Sequence, residues 1–321
     1  MPTRMANVGR TKAGDEEKQA VTTPALAGSK ETARWIEIDA GEFREKFNRK
    51  SFEVRHELAE HPMFQLPALV DLAERTRKQR PNDIYYNNGD IGVDQKWIHN
   101  PDHPFSPGET IHRIEECSAW FIFRSAQRDP EYRLFLDKGL SEIKELIGEK
   151  LEKKIMVEDI IIFVTSPKRK TPYHIDRECN FLLQIRGEKT IHVFDQNDRE
   201  IVSEEELERF WSVDSSSANY RAQFQSRANS YVMRPGTGVH IPVNGPHWLE
   251  NHDNVSISLS VNFQFRDSLK ANAYRANYLL RRLGIQPRPP GQAEWLDRIK
   301  SASVVPGVWA TKTCKKLRKH G

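Results

Sequence analysis

The segment 256–265 constrains the fold most, because polar and apolar residues alternate along it without exception. Its apolar members are Ile257, Leu259, Val261, Phe263 and Phe265, and its polar members are Ser256, Ser258, Ser260, Asn262 and Gln264. In an extended strand, a period of two puts the two sets on opposite faces. An ordinary sheet with one solvated face would explain this pattern. Because the polar set is small and uncharged, it also suits the lining of a polar cavity inside a barrel.

Shorter strand signals precede this segment. The predicted strands are Ile160–Val164, Asn180–Ile185, Lys189–Phe194, Ser230–Met233 and Val239–Ile241. Arg186-Gly187-Glu188 resembles a hairpin turn between two of them, and Pro235-Gly236 and Asn244-Gly245-Pro246 mark further turns. Several short strands separated by regular turns predict a mainly β fold, either a small barrel or a double-sheet jelly roll.

Helical periodicity and composition divide the rest of the chain. Helices are predicted at Pro67–Thr76, Ser141–Leu151 and Ser268–Leu283, the last ending at Gly284. Residues 1–32 have few large apolar side chains, so we expect a disordered tail there. We expect the main domain at 33–266, with helical support over 33–158 and a barrel core over 159–266. Residues 267–321 form a C-terminal helix and a basic tail.

Charge and cysteine usage limit the class of protein. The net charge is +4, and the stretch 311–320 carries five lysines and arginines. Such a tail could contact nucleic acid, but we favour a solvated tail. Cys117, Cys179 and Cys314 are far apart and form no CxxC motif, so we expect a cytoplasmic protein without a disulfide scaffold. No apolar run is long enough to cross a membrane, and no secretory signal is expected.

The stretch Thr171-Pro-Tyr-His174-Ile-Asp176 carries the first chemical signal. His174 and Asp176 are two residues apart, so both side chains can point the same way from an extended backbone. One imidazole and one carboxylate can bind a single metal. A third ligand from a distant strand would complete the two-histidine, one-carboxylate arrangement of iron(II) oxygenases. The HxD pair alone is weak evidence, because it occurs by chance.

Further positions match a known family in residue type and spacing. They are Thr171, three residues before His174; Asn180 and Lys189, six and fifteen after it; Arg234-Pro-Gly236; Ile241-Pro242; His247-Trp248; and Asn262, fifteen after His247. In this joint pattern the chain resembles the JmjC-type oxygenases of the cupin superfamily. The subgroup is the one containing the asparaginyl hydroxylase that acts on the hypoxia-inducible factor. The resemblance is firm over 159–265 and looser over 35–158.

The resemblance implies a double-stranded β-helix and a set of site residues. Iron(II) would be held by His174, Asp176 and His247. The cosubstrate 2-oxoglutarate would contact Thr171, Asn180, Lys189 and Asn262. Chemistry supports this assignment, since the distal carboxylate of 2-oxoglutarate needs a buried cation and Lys189 lies on a strand from which it can reach inward. His240 and His252 compete for the third metal position, and the flanking pattern favours His247.

The implied activity is hydroxylation of a C–H bond with O2, releasing succinate and CO2. We expect a peptide or small-molecule substrate. There are two alternatives. The chain could be a metal cupin enzyme that does not use 2-oxoglutarate, or a non-catalytic JmjC-like module. The resemblance also allows a homodimer through the C-terminal helix, although that helix could simply cover the barrel.

Departures from the family concern the substrate. Lys168, Arg169 and Lys170 replace a small turn before Thr171, Thr237 follows Pro235-Gly236, and Gln264 stands where the asparaginyl hydroxylase has an aromatic residue. Three cations at the rim of a pocket would attract anions, so we expect an anionic substrate. Whether Tyr85 or Tyr86 reaches the pocket stays open.

Overall fold

Eight antiparallel strands lie between residues 155 and 265. The computed structural model describes residues 34–89, 91–96, 105–266 and 268–304, which belong to one compact unit. The predicted tail 1–32 and the basic stretch 311–320 lie outside the described residues. Within the described residues, no helix is both long enough and apolar enough to span a membrane.

The region before residue 155 mixes helices with strands. Its helices are α1 (Ala40–Lys46), α2 (Leu66–Gln79), α3 (Pro107–His112), α4 (Pro130–Ile147) and α5 (Glu149–Glu152). Its strands are β1 (Ile36–Glu37), β2 (Phe52–His56), β3 (Ile84–Asn87) and β4 (Trp120–Phe123). The sequence predicted only helical support here. These strands have two to five residues, too few to show a clear period.

The predicted helix at Ser141–Leu151 differs from the observed one at both ends. α4 begins at Pro130, where the side chain of Asp129 accepts a hydrogen bond from the backbone N–H of Glu131. It ends at Ile147, and the following residue, Gly148, has a positive φ of 73° that favours glycine. The N-cap signal before Pro130 was therefore present in the sequence and was missed.

Eight strands follow in the second half of the chain. They are β5 (Ile155–Thr165), β6 (Lys170–His174), β7 (Cys179–Arg186), β8 (Lys189–Val193), β9 (Asn229–Met233), β10 (Thr237–Ile241), β11 (His247–Asn251) and β12 (Ser256–Phe265). The five predicted strands correspond to β5, β7, β8, β9 and β10, while β6 and β11 were not predicted.

The strands form two sheets. The large sheet has the order β1-β2-β10-β7-β12-β5-β4-β3, and the small sheet has the order β6-β11-β8-β9. The pairs are antiparallel throughout. This arrangement of antiparallel sheets with flanking helices is consistent with the predicted JmjC/cupin-like fold.

The turn at Gly187 carries the chain from the large sheet to the small one. The sequence suggested a hairpin, but β7 pairs with β10 and β12, whereas β8 pairs with β11 and β9. Gly187 has a φ of 72°, and a Cβ there would lie 2.1 Å from the side chain of Asn254. Glycine is therefore required for the chain to change sheets at this point.

The alternation of β12 is explained by burial on both of its faces. Its apolar side chains enter the main core, where Val261 and Phe263 are at most 1% exposed. On the other face, the hydroxyl of Ser258 donates a hydrogen bond to Gln184. Ser260 and Asn262 line a cavity, as the small polar set predicted.

Three helices accompany the small sheet or follow the last strand. α6 (Glu204–Ser212) lies between β8 and β9, and α7 (Ser268–Arg282) packs against it. A last helix, α8, spans 294–304, where the sequence had indicated a weakly structured end. Arg281 of α7 binds Glu208 of α6 with a nitrogen–oxygen distance of 2.7 Å. This ion pair therefore ties α6 to α7.

Candidate metal centre and cosubstrate cavity

Two strands of the small sheet bring the predicted metal ligands together. His174 ends β6 and His247 begins β11, and the two residues are direct partners in the antiparallel register. Asp176 follows His174 in the loop to β7, and its Oδ2 lies 3.8 Å from Nε2 of His174 and 3.7 Å from Nε2 of His247. The three ligand atoms lie within 4.8 Å of one another.

Backbone carbonyls orient both imidazoles. Nδ1 of His174 lies 2.7 Å from the carbonyl oxygen of Pro172, and Nδ1 of His247 lies 2.9 Å from that of Gly245. An Nδ1–H that donates to a carbonyl fixes the tautomer, so each Nε2 carries the lone pair and points toward Asp176. Burial lowers the pKa of His247 to about 4, so this ring is neutral at pH 7, as a metal ligand must be.

The loop before β11 fixes the position of Asp176. The backbone N–H of Asn244 donates to the carbonyl oxygen of Asp176 at 2.9 Å, and the indole of Trp211 donates to the side chain of Asn244. Two imidazoles and one carboxylate on one side of a cavity match the donor set that non-haem iron(II) oxygenases use. The residues present therefore fit an iron(II) ion.

The metal cavity, as we call the space lined by these ligands, has a volume of about 640 Å³. All four predicted cosubstrate residues line it, namely Thr171, Asn180, Lys189 and Asn262. Asn180 and Asn262 are partners in the register of β7 with β12. Thr171 lies on β6 and Lys189 on β8. Both sheets therefore contribute polar groups to one space.

Lys189 is the most unusual charge in the metal cavity. Its side chain is buried, with 4% exposure, and burial lowers the pKa of the ammonium to about 7. Lys189 forms no ion pair with a carboxylate among the described residues, so its charge lacks a direct partner there. A buried cation facing a cavity is the feature that binding of an anion requires.

Asn180 presents an acceptor to the same space. It is 4% exposed, and its Oδ1 has no hydrogen-bond partner among the described residues. Asn262 differs, because its Oδ1 accepts from the hydroxyl of Ser260 at 2.8 Å. One of the two cavity amides therefore has an unused acceptor.

The competing histidines have structural roles. His240 is fully buried between Phe52 and Phe181; its Nε2 accepts from the backbone N–H of Asn48, and its Nδ1 lies 3.1 Å from the carbonyl of Asn180. His252 contacts Thr190 and Glu188. Neither belongs to the metal group.

Several cavity residues were missed in the sequence. They are Trp120, Arg124, Asp159, Arg177 and Glu178. Tyr85 lines the cavity, whereas Tyr86 points to the other face of β3 and stacks on Phe121. Glu178, two residues after Asp176, could have been noticed from its spacing alone. Burial, followed by the charge of Asp176, raises the pKa of Glu178.

The basic cluster 168–170 is not at the cavity. None of its three residues lines the metal cavity. Lys168 is exposed and pairs with Asp253, while Arg169 is buried and donates to the side chain of Asn87. The prediction of a basic rim is therefore wrong, because Arg169 turns into the protein and Lys168 is already paired.

The comparisons with known proteins identify the fold. No protein-family model and no curated protein match the sequence. The X-ray structure of E. coli ycfD matches 85% of this chain and 68% of that chain, with 15% identity and a TM-score of 0.50. A structure described as YcfD, a ribosomal oxygenase from Escherichia coli, in complex with cobalt and succinic acid matches 86% of this chain and 68% of that chain, with 16% identity and a TM-score of 0.47. The first similarity establishes a shared fold.

Proposed function

We propose that this protein is an iron(II)- and 2-oxoglutarate-dependent oxygenase that hydroxylates a C–H bond of a peptide side chain or a small metabolite. One observation carries the proposal. The group formed by His174, Asp176 and His247 shares a single cavity with the buried, uncompensated ammonium of Lys189. A metal cupin that binds no anionic cosubstrate has no need for such a cation, so the geometry favours the 2-oxoglutarate enzyme. YcfD, which shares the fold, is named a ribosomal oxygenase, in agreement with this class of reaction.

The roles of the chain's own residues follow from their chemistry. His174, Asp176 and His247 would hold the iron, which supplies the site for O2 and for oxidation of the substrate. Lys189 neutralises the distal carboxylate of 2-oxoglutarate, and the hydroxyl of Thr171 can donate to the same group. The amide of Asn180 or Asn262 can donate to the remaining oxygens. The apolar walls exclude water from the reacting atoms.

The strand order supports a double-stranded β-helix. From β5 to β12, successive strands alternate between the sheets except at β8–β9, which are neighbours in the small sheet. In the large-sheet order β5-β12-β7-β10, each strand is consecutive in the chain with the strand at the same place in the small-sheet order β6-β11-β8-β9. This is the connectivity expected for a jelly roll made of two Greek keys. We also propose that this chain belongs to the subgroup that contains the asparaginyl hydroxylase, because the spacing of Thr171, Asn180, Lys189 and Asn262 matches that subgroup.

The C-terminal helices carry an exposed apolar surface that could support the predicted dimer. The buried face of α7, including Ala273 and Tyr274, covers neighbouring elements. Large apolar side chains beyond it are exposed, namely Leu279, Leu283, Ile285, Trp295 and Ile299. We propose that this surface pairs two copies of the chain. Light scattering measures the mass of the parent protein and of a Leu283→Lys, Trp295→Lys double variant. We expect a dimeric parent protein and a monomeric variant, and a monomeric parent protein would contradict the proposal.

A mass-based screen tests the proposed activity. Candidate peptides and metabolites are incubated with the protein, iron(II), 2-oxoglutarate and O2, and products that gain one oxygen are sought together with succinate. Both should disappear without iron or without 2-oxoglutarate. Oxygen incorporation that persists without 2-oxoglutarate would favour the cupin alternative. A protein that binds neither iron(II) nor 2-oxoglutarate would be a non-catalytic module.

A further inference from the structure

The inner face of the large sheet carries two carboxylates beside the metal group. Asp159 on β5, Asn262 on β12 and Asn180 on β7 face one another in register. Glu178 continues this face just before β7 and accepts a hydrogen bond from the side chain of Gln264 on β12. Asp159 and Glu178 both line the metal cavity. Since adjacent strands are about 4.8 Å apart, the two residues flank β12 at a separation on the order of 10 Å.

Asp159 and Glu178 differ from four buried carboxylates in the described chain, which pair with arginines as Glu206–Arg221, Glu208–Arg281, Asp129–Arg75 and Asp83–Arg128. Two further buried carboxylates, Glu142 and Asp297, form no ion pair within the described residues but accept backbone N–H groups. Glu178 is held by the neutral amide of Gln264, and Asp159 by that of Gln127 at 2.8 Å. Neither forms an ion pair within the described residues. A neutral amide orients a carboxylate without compensating its charge, and Arg177 and Arg128 lower the pKa of Glu178 and Asp159 by less than burial raises it.

The two arginines at the cavity are engaged elsewhere. The guanidinium of Arg177 donates to the carbonyl oxygen of Phe210 at 2.7 Å and lies 5.2 Å and 5.4 Å from the ring centres of Phe210 and Trp211. Arg124 is exposed and stands over the ring of Tyr85 at 5.3 Å. Arg177 is thus directed toward α6 and Arg124 toward β3.

The unused acceptor oxygen of Asn180 indicates independently that this face binds a hydrogen-bond donor. Its Oδ1 is buried, lines the cavity and lies in the same row as Asp159 and next to Glu178. An amide can donate through its nitrogen to an anion such as 2-oxoglutarate, but its oxygen can only accept. A dianion therefore cannot satisfy Oδ1. A group that donates hydrogen bonds, arriving from the substrate side, can satisfy it.

We infer that this row binds the cationic end of the substrate, an alkylammonium or guanidinium group, with Glu178 and Asp159 as specificity-determining residues and Asn180 as an acceptor. The inference rests on the proposed function and adds the chemical class of its substrate. It replaces the anionic substrate that the basic cluster 168–170 had suggested. A cation between the two carboxylates gains charge-assisted hydrogen bonds in a partly dehydrated space.

Ligand binding near the metal tests the inference without requiring turnover. The protein is loaded with manganese(II) and 2-oxoglutarate without O2, and proton relaxation of added ligands is measured by NMR. The ligands are the N-acetyl amides of lysine and arginine, their neutral analogues norleucine and citrulline, and glutamate as the anionic counterpart. Butylamine and butylguanidine, which lack a peptide backbone, distinguish a free amine from a peptide side chain. The metal relaxes protons of any ligand that enters the cavity.

Variants assign the recognition to particular residues. Glu178→Gln removes the charge yet keeps an oxygen that can accept from Gln264, and Asp159→Asn does the same toward Gln127. The matched control is Glu53→Gln, an exposed carboxylate on β2. A separate 2-oxoglutarate titration of every variant shows whether the cosubstrate site is intact.

The expected result is at least tenfold tighter binding of the cationic ligands than of the neutral ones. We expect this preference to fall to near unity in the Glu178→Gln, Asp159→Asn double variant, with 2-oxoglutarate binding kept. Equal binding of cationic and neutral ligands, preference for glutamate, or no binding of any ligand overturns the inference while the oxygenase proposal stands. If the parent protein does not bind 2-oxoglutarate, it is the proposed function that fails.

Discussion

His174 and His247 lie directly opposite each other in the antiparallel pairing of β6 and β11, with ring centres 4.1 Å apart. Seventy-three residues separate them in the sequence, and one register of one strand pair brings their Nε2 atoms to Asp176. A shift of that register by one residue would turn one imidazole to the other face of the small sheet. The candidate metal centre is thus a consequence of strand pairing.

The first prediction concerns the metal. Asp176→Ala removes the anionic member of the group, so we expect iron(II) binding and succinate production to be lost while the fold persists, since Asp176 is partly exposed, with a side-chain exposure of 34%. Metal content after dialysis and circular dichroism measure the two effects. Asp253→Ala, which removes an exposed carboxylate paired with Lys168, is the control. Full succinate production by the Asp176 variant would refute the assignment.

The second prediction concerns the cosubstrate. Lys189→Met keeps the bulk of the side chain but leaves the distal carboxylate of 2-oxoglutarate without a cation. An uncompensated buried charge costs roughly 3–5 kcal/mol. We therefore expect 2-oxoglutarate to bind at least a hundredfold more weakly, because about 1.4 kcal/mol is a factor of ten. Calorimetric titration measures it, with the exposed Lys168→Met as control. An unchanged titration curve would point to another cation.

The third prediction concerns the pH dependence of this binding. In the ligand-free protein, burial lowers the pKa of Lys189 to about 7. Above that pH the amine is increasingly neutral, and binding of the dianion must take up a proton. Affinity for 2-oxoglutarate should fall by up to tenfold per pH unit above 7 and change little between pH 6 and 7. A parent protein and a Lys189→Met variant with the same pH profile would contradict this.

The lowered pKa of Lys189 also makes the stability of the ligand-free protein depend on pH. The folded-state pKa of Lys189 lies below the ordinary lysine pKa of 10.5, so the unfolded chain binds more protons between pH 7 and 10.5. The ligand-free protein should therefore gain stability from this group as the pH rises through that range. At pH 7 and below, Lys189→Met should melt at a higher temperature than the parent protein without ligand. A lower melting temperature would show that the ammonium is compensated.

The fourth prediction concerns unfolding of the protein at acidic pH. Burial lowers the pKa of His56 to about 4 and that of His240 to about 3. Because both values lie below the ordinary 6.5, their contribution to stability is complete above pH 6.5 and is lost as the pH falls toward 3. His240→Gln keeps an acceptor for the N–H of Asn48 and should make the free energy of unfolding less dependent on pH below 6.5.

Urea unfolding at several pH values measures this dependence. The exposed His112→Gln is the matched control and should leave the pH profile unchanged. An identical slope below pH 6.5 in the His240 variant and the parent protein would show that His240 does not contribute to acid unfolding.

The fifth prediction compares two glycines with similar positive φ. Gly187 and Gly148 have φ values of 72° and 73°, but a Cβ at Gly187 would meet Asn254 and Val255 at 2.1 Å, whereas nothing lies within 4 Å at Gly148. Gly148→Ala should cost only the strain of a backbone conformation that favours glycine, on the order of 1–3 kcal/mol. Gly187→Ala should cost clearly more, since the crossing between sheets must shift. Equal losses in urea unfolding would show that the loop at Asn254 adapts freely.

Local patterns in the sequence determined several features of this protein. The alternation in 256–265, the turns at Gly187 and Gly236 and the spacing of His174 and Asp176 are short-range properties, since a period of two and a left-handed turn depend on neighbouring residues alone. From them came several strands of the two sheets and two of the three residues of the metal group. The remaining site residues came from a resemblance in residue type and spacing, and they do line the cavity.

Only the tertiary structure decided which distant groups meet. His240 and His247 both lie in apolar, strand-forming surroundings, and the choice between them depends on the sheet to which each strand belongs. Arg169 seemed to be a rim cation because its burial depends on Asn87, far away in the chain. The unpaired state of Lys189, Glu178 and Asp159 is likewise a property of the folded chain. Whether a charge is compensated depends on which side chains surround it, and sequence spacing does not contain that information.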